Sequence, residues 1–528
     1  MSAELVAAAH ESSRIGRDRA NSPHAWRIWL LLALGTSAVH LMTLRISPPI
    51  WQDEVEIVEL GRNVFPGADR SWSTLWSPDR GPTRILNYVG PGLQELAFRL
   101  AGGSEMGPRS SALLGALVAG TCLLGWLLSR GCRPLAALIC ASLFLLDPLF
   151  AQSWRGARID CWVFALIFLA CWLIRRAANQ TGNGSPFKLG LVAAGACLSL
   201  AGFCWASAIL LVPLVFCEVV AAYRRLFTKE HIRAVVPVLS TLAGSTAVAF
   251  LLLLVPIWSS VGNSFGTSGA AVAGASGLTS VLSLGSAIAR SYAWSPWVFG
   301  LGLVALFTSG NRLLLGAFIV TALGIGITTP YAHRVLYLLP YLLLGLSTIL
   351  GLETEPEQKP HWRTKALRLA VCLLVAWSAS LTLGARTWNA LRQRHSRSPD
   401  RITELATTTI GARAAAIYSP CHEFYYAGRR LGWHQFRIFQ YGGVGNEYRN
   451  SPGFLAQMQF AILRAGEPDA GLRDALERAG LVLSQTVQPG GAMPSDSSNP
   501  KGTIGFGGYL VFARAQPDTQ RKGKTDGI

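Results

Sequence analysis

The chain has 528 residues, of which 51% are hydrophobic and only 14% charged, and it carries a formal charge of +18. Soluble domains hold roughly 25% charged residues, so this composition excludes a soluble globular protein. The basic excess does not gather into a patch with interleaved aromatics, which argues against nucleic acid as a partner.

Residues 1–25 are polar and read as a cytoplasmic N-terminal tail. The apolar run that follows is too long for a signal-peptide core and reads as an uncleaved anchor. Runs close to the ~20 residues that cross the hydrocarbon fall at 26–46, 109–129, 134–151, 159–175, 187–203, 205–222, 233–257, 293–308, 313–329, 334–352 and 367–385. The expectation is an α-helical polytopic membrane protein of about eleven transmembrane helices over residues 26–385. With the N-terminus in the cytoplasm, the clusters at Arg14 to Arg27, Arg130 and Arg133, Arg175 to Lys188, Arg224 to Arg233 and Lys359 to Arg368 all lie inside, as the positive-inside rule requires. Arg155, Arg158, Arg290 and Arg334 are then the few basic residues of the short outer connections. All cysteines but Cys421 lie in or beside the apolar runs, and no disulfide framework or Cys-x-x-Cys spacing is present.

The first outer loop, 47–108, contains Trp51, Trp72 and Trp76, which suit the headgroup level. Inside it, "WQDEVEIVELGRN" has the form of a capping box, Asp53 with Glu56, opening an amphipathic helix with Glu56, Glu59 and Asn63 on its polar side. A second outer segment, 258–292, is rich in Gly, Ser and Ala and is expected to be a mobile loop. An odd number of spans places residues 386–515 outside, where strand-like runs ("AAAIYSP", "FRIFQYG", "LVLSQTVQ", "YLVFARA") alternate with helical stretches ("GLRDALERAG", "EFYYAGRRLG"). A small extracytoplasmic α/β domain is expected there, with a disordered tail at 516–528. No internal repeat is present.

The acids after the first span have two compatible readings. Asp53 and Glu56 as helix caps and Glu59 on a solvated face account for the pattern structurally but leave Glu54 unexplained. As chemistry, a carboxylate with an ordinary pKa near 3.9 is ionised at neutral pH and can take a proton from an attacking hydroxyl or amine.

The order of these features resembles the C-type (GT-C) superfamily of polyprenyl-phosphate-sugar glycosyltransferases, especially the protein O-mannosyltransferase and aminoarabinose-transferase branch, family 39. Asp53-Glu54 is similar to the family's acidic pair after the first span, and "GGSEMGPRSSALLGAL" to the stretch opening its second span. "DPLFAQSWRGARIDCW" is similar to the segment between its third and fourth spans, and "AHRVLYLLPYLLLG", with Arg334, Tyr337 and Pro340, to its entry into a late span. The resemblance covers roughly residues 26–352 and departs at "GPTRILNYVGPGLQEL", where the family often has a His-Pro-Pro-Leu-Tyr-like stretch.

The resemblance implies an inner-membrane glycosyltransferase working on the outer face. It takes a sugar from a polyprenyl-phosphate donor to an extracytoplasmic protein, lipid or cell-envelope glycan, with inversion. Asp53 would be the base, with Glu54 orienting the acceptor or assisting. Arg suits the forked geometry of a phosphate, so Arg158, Arg334 and Arg155, with His333 beside Arg334, are the candidate phosphate and donor contacts. Each also has a plain reading: interfacial anchoring or pairing with Asp160 for Arg155 and Arg158, snorkelling for Arg334, an interfacial hydrogen bond for His333. Asp160 is expected to have a partner on another helix, Asp147 before Pro148 to form a turn or cap, and Arg290 to be solvated.

No His/Cys cluster supports a metal site, so no cofactor is assigned and dependence on a divalent metal stays open. "GNSFG" at 262–266 fits Gly-x-Ser-x-Gly without the strand and helix that motif needs. There is no Gly-x-x-x-x-Gly-Lys loop and no Asp-x-Asp pair, which favours a lipid-linked over a nucleotide-linked donor. Two other classes stay open: a transporter or flippase, which would show repeats and midplane charges, and a non-catalytic scaffold presenting the tail domain.

Overall fold

The computed structural model describes residues 22–65, 86–180, 186–224, 232–260, 278–293, 296–328, 332–351, 362–436, 452–465, 470–487 and 508–514. Trp72, Trp76, the Gly-x-Ser-x-Gly match and the segment 516–528 lie outside these residues.

Helices occupy every apolar run. The first is α1 (Pro23–Leu41); two helices of the first outer loop follow, α2 (Gln52–Arg62) and α3 (Val89–Leu100). Then come α4 (Met106–Ser129), α5 (Pro134–Leu146), α6 (Pro148–Arg155), α7 (Asp160–Asn179), α8 (Pro186–Cys204), α9 (Val212–Ala222) and α10 (Ile232–Leu254). The later ones are α11 (Leu278–Tyr292), α12 (Pro296–Thr308), α13 (Arg312–Thr328), α14 (Leu339–Gly351) and α15 (Trp362–Ala379). Among the described residues, 4 helices are long and apolar enough to cross a membrane, or up to 5 if the bent pair α5–α6 is one span. Five further apolar helical stretches among the described residues are 10–17 residues long, and the 19-residue α1 is not among the helices that meet the criterion.

The bend between α5 and α6 is 56°, and its cause is local. Pro148 cannot donate a backbone hydrogen bond, while the Asp147 side chain accepts from the amides of Leu149 and Phe150 at 2.9 and 3.1 Å, starting a new helix in a new direction. The expected cap at Asp147 is present.

The membrane core forms around α4 and α7. Gly125 lets the two helices close: a Cβ there would stand 2.6 Å from the Trp172 ring, and Trp172 Nε1 donates to Ser129 Oγ on α4 at 3.0 Å. Small residues permitting close approach with a cross-helix hydrogen bond are how apolar helices associate where burial from water gives no drive.

The second half of the expected mobile loop is helix α11. Its Leu284, Ala287, Ile288 and Tyr292 recur at helical spacing and pack on the core, with the Tyr292 ring 4.4 Å from that of Phe299. The Gly/Ser/Ala-rich composition concealed this apolar stripe. Residues 261–277 lie outside the described residues.

After α15 a π-helical stretch (Ser380–Ala385) and α16 (Arg386–Arg392) continue the same apolar helix, and α17 (Pro399–Thr409) then leads to a five-stranded sheet. The sheet holds β1 (Ala416–Tyr418), β2 (His434–Phe436), β3 (Phe460–Arg464), β4 (Leu481–Val487) and β5 (Tyr509–Arg514), in the order β2-β1-β3-β5-β4. β2 and β3 pair parallel to β1, and β5 pairs antiparallel to both β3 and β4. Between β1 and β2 lies the helix α18 (Tyr425–Arg430), and between β3 and β4 lies α19 (Ala470–Arg478). β1, β4 and β5 coincide with expected apolar runs; the expected run "FRIFQYG" meets β2 only at Phe436 and otherwise lies outside the described residues, and β3, "FAILR", is a strand the expected runs do not contain.

Candidate active site

Helix α2 does not use the expected capping box. Trp51 occupies the N-cap without a capping hydrogen bond from its side chain, and Asp53 and Glu54 both lie in the first turn, where carboxylates meet the positive end of the helix dipole. Asp53 therefore spends its side chain on a tertiary partner. It forms an ion pair with Arg158 Nη1, and its side chain is 33% exposed.

Arg158 reaches this position through a reversal of the chain. Helix α6 ends at Arg155, and Ala157 adopts a left-handed backbone with φ 53°, which costs a non-glycine residue about 1–3 kcal/mol. Gln94 of α3 donates to the Ala157 carbonyl at 2.9 Å, and the Arg158 amide donates to Ser153 O at 3.0 Å. These bonds hold the turn. Arg158 Nε then donates to Asp160 Oδ2 at 2.7 Å, and the Tyr337 hydroxyl donates to Asp160 Oδ1 at 2.7 Å. Asp160 thus has the expected partner on another segment and pairs with Arg158 as well, because the turn folds residue 158 back over the start of α7. Burial by itself lowers the Arg158 pKa, but Asp160 and Asp53 outweigh it and hold the guanidinium charged, with its pKa raised.

Glu54 faces elsewhere. Its carboxylate is fully buried and forks onto Arg109 of α4, with Nε at 2.9 Å and Nη2 at 2.8 Å. Arg109 Nη1 donates to Leu44 O at 2.7 Å, and Tyr426 of the tail donates to Glu54 Oε1 at 3.1 Å. Burial pushes the Glu54 pKa up, against the pull of Arg109 and Tyr426. An acceptor-orienting role does not fit an enclosed carboxylate whose oxygens are already taken; these contacts make Glu54 an anchor of α2.

Arg155, expected at the phosphate, is instead buried, donating to Thr382 O at 3.0 Å and Thr43 Oγ1 at 2.8 Å. Residues 155 and 158 would share a face of a continuous helix, but the helix stops between them. Arg334 and His333 lie in the one-turn helix Ala332–Val335, with Arg334 half-buried; the chain continues through Leu336–Leu338, carrying Tyr337 to Asp160. Among the described residues, no three His, Cys, Asp or Glu side chains group as metal ligands.

On the polar side of α2, Glu56 and Asn63 are half-buried, while Glu59 is covered rather than solvated. Glu59 is buried and accepts from the Tyr425 hydroxyl at 2.6 Å. Arg429 forks onto Glu95 of α3 at 2.7 and 3.0 Å, and Arg45 bridges Glu105 at 2.9 Å and Asp400 at 2.6 Å. Phe98 packs with Ile50, Val55, Val58 and both tyrosines. These tail partners were missed because no local pattern marks a tyrosine pair on a helix of six residues as a contact for acids more than 300 positions earlier.

No family profile matches the chain, and no curated protein does. Solved structures do. ArnT from Cupriavidus metallidurans bound to undecaprenyl phosphate is similar over 93% of this chain and 98% of its own, at 13% identity and TM-score 0.60. The Archaeoglobus fulgidus oligosaccharyltransferase tethered to an acceptor peptide is similar over 94% of this chain and 74% of its own, at 13% identity and TM-score 0.51. The arabinofuranosyltransferase AftD from Mycobacteria is similar over 93% of this chain and 40% of its own, at 15% identity and TM-score 0.50. The chain has the GT-C membrane fold, with a small sheet-containing domain at its C-terminal end.

Proposed function

We propose that the chain is a membrane glycosyltransferase that moves a sugar from a polyprenyl-phosphate donor to an extracytoplasmic acceptor, with inversion at the anomeric carbon. The observation that carries this reading is the row Asp53–Arg158–Asp160–Tyr337: a part-exposed carboxylate on the outer-loop helix in contact with a guanidinium that a second, buried carboxylate fixes in place. The GT-C fold, shared with a structure that binds undecaprenyl phosphate, supports a lipid-linked donor.

In this reading an acceptor hydroxyl or amine attacks the anomeric carbon as Asp53 removes its proton. The bond from that carbon to the phosphate oxygen breaks, and polyprenyl phosphate leaves with the electron pair. Arg158 links the two ends of the displacement. While Asp53 is ionised it shares the guanidinium charge; once Asp53 is protonated that share is released toward the leaving phosphate, and Asp160 keeps the guanidinium aimed. Oriented charge at the point where charge develops is the kind of stabilisation worth several kcal/mol in a water-poor site. Arg334 and His333 are proposed as further donor contacts. Arg155 is not assigned to the phosphate, given its burial against Thr43 and Thr382.

The test is release of undecaprenyl phosphate from a panel of undecaprenyl-phosphate sugars by the purified protein and by Asp53→Asn. Turnover by the wild type that disappears in the folded variant is the expected result. Undiminished turnover in the variant overturns Asp53 as the base, and no turnover by the wild type together with no binding of undecaprenyl phosphate overturns the reading in favour of a transporter or scaffold.

A further inference from the structure

The helix that carries Asp53 is gripped from the tail as well as from the membrane part. α2 begins after Trp51 with no side-chain cap, and an uncapped first turn leaves several backbone amides without intrahelical partners. What anchors this first turn is the Glu54 side chain, through bonds to other segments. Arg109 holds it from α4, and the buried Tyr426 hydroxyl holds it from α18. Burial pushes the Tyr426 pKa well up, so the hydroxyl keeps its proton and acts as a donor. The Tyr426 ring is itself fixed, 5.5 Å from Phe98 of α3 and 5.3 Å from Tyr425. Its neighbour Tyr425 makes a similar bond to Glu59, further along the helix from Asp53.

We propose that Tyr426 is a positioning residue for the transfer reaction: through Glu54 its hydroxyl fixes the first turn of α2, and with it the Asp53 carboxylate against Arg158. The tail domain thereby completes the catalytic centre without touching substrate. The proposal rests on Asp53 being the base. Reacting groups lose about 100-fold in rate when displaced by roughly 1 Å, so a frayed first turn is felt in the chemical step before it is felt in donor binding.

The experiment compares Tyr426→Phe, Tyr425→Phe, Glu54→Gln and Asp53→Asn in the full-length purified protein, using the undecaprenyl-phosphate sugar that the wild type turns over. Tyr426→Phe removes one oxygen and keeps the ring packing. Its kcat should fall about 10-fold, the low end of what losing a hydrogen bond to a charged group costs, with KM for the donor within about 2-fold. Glu54→Gln should show the same split, and the double variant should lose less than the product of the two single losses. Tyr425→Phe, which gives up a comparable bond away from Asp53, should retain its kcat. Hydrogen exchange at residues 52–56 should quicken in Tyr426→Phe and not in Tyr425→Phe, a readout independent of turnover.

Wild-type kcat and wild-type exchange in Tyr426→Phe, with Asp53→Asn inactive, overturn the positioning role and leave the base standing. Equal losses in the two tyrosine variants overturn it in favour of general docking. Full activity in Asp53→Asn overturns the underlying reading, and this inference with it.

Discussion

Glu54 and Arg109, 55 positions apart, form a forked ion pair with both side chains inaccessible to solvent. The pair ties the outer-loop helix α2 to the first turns of α4, and Tyr426 closes it from the tail. Because the charges are desolvated, each depends on the other. Removing one partner of a buried pair costs about 3–5 kcal/mol. Arg109→Ala is therefore expected to lower the thermal unfolding midpoint of the purified protein sharply and to abolish turnover. An unchanged midpoint would show that the pair does not hold the loop.

The close contact between α2 and α3 makes a second expectation. A Cβ at Gly61 would stand 2.0 Å from the Pro91 carbonyl oxygen and 2.6 Å from its carbon, both backbone atoms that cannot swing aside. Gly61→Ala should force the helices apart at a cost of about 1–3 kcal/mol and disturb the turn that Gln94 holds at Ala157. Gly92→Ala is the matched control, since its Cβ would meet Val64 at an ordinary 3.5 Å. Protease sensitivity and activity of the two variants, measured side by side, decide the matter; equal behaviour counts against the contact.

Tyr337 and Asp160 act on Arg158 from behind. Tyr337→Phe leaves Asp160 with one hydrogen bond fewer while the ring stays 5.0 Å from Phe164. A hydrogen bond to a charged group is worth about 1.5–3 kcal/mol, so kcat should fall by about 10-fold or more. Asp160→Asn should fall further, since the guanidinium then keeps only Asp53. Activity equal to wild type in both variants would remove Asp160 from the catalytic row.

The tail contains its own buried charge. Glu423 accepts from the Tyr509 hydroxyl at 2.7 Å and from Arg464 at 2.8 and 3.2 Å. Burial by itself raises its pKa, but Arg464 overcomes this and holds it down to about 2, below the ordinary 4.5. The sign follows: the folded state binds this proton less readily than the unfolded one, so the contribution is complete above about pH 4.5 and is lost as pH falls toward 2. Wild-type unfolding temperature should drop across that interval. Glu423→Gln should unfold earlier at neutral pH and lack this part of the acid dependence; an identical acid profile would refute the coupling.

Much of this was legible along the chain. The apolar runs place helices because a hydrocarbon solvent demands long stretches without charge, and the tail's alternation of short apolar runs with helical ones announces a sheet with helices. Asp53, Arg158 and Asp160 stand out because ionisable groups beside a membrane are costly unless they are used. The loop at 258–292 misled because small residues hide a helical stripe whose partners lie on other helices. Asp53 and Glu56 misled because a capping box and an ion-pairing acid share one local signature.

What the sequence determined by itself, then, is what local physics can settle: membrane residence, helix positions, the Asp147-Pro148 break, and which charged residues require an explanation. The division of labour among them was decided only by the tertiary structure. The choice of Asp53 for Arg158 and Glu54 for Arg109 depends on a left-handed turn at Ala157, on Arg109 at the start of α4 reaching Glu54, and on two tyrosines in a domain hundreds of positions away. An ion pair is set by distance in space, and nothing in the spacing of two adjacent carboxylates says which of them will be buried.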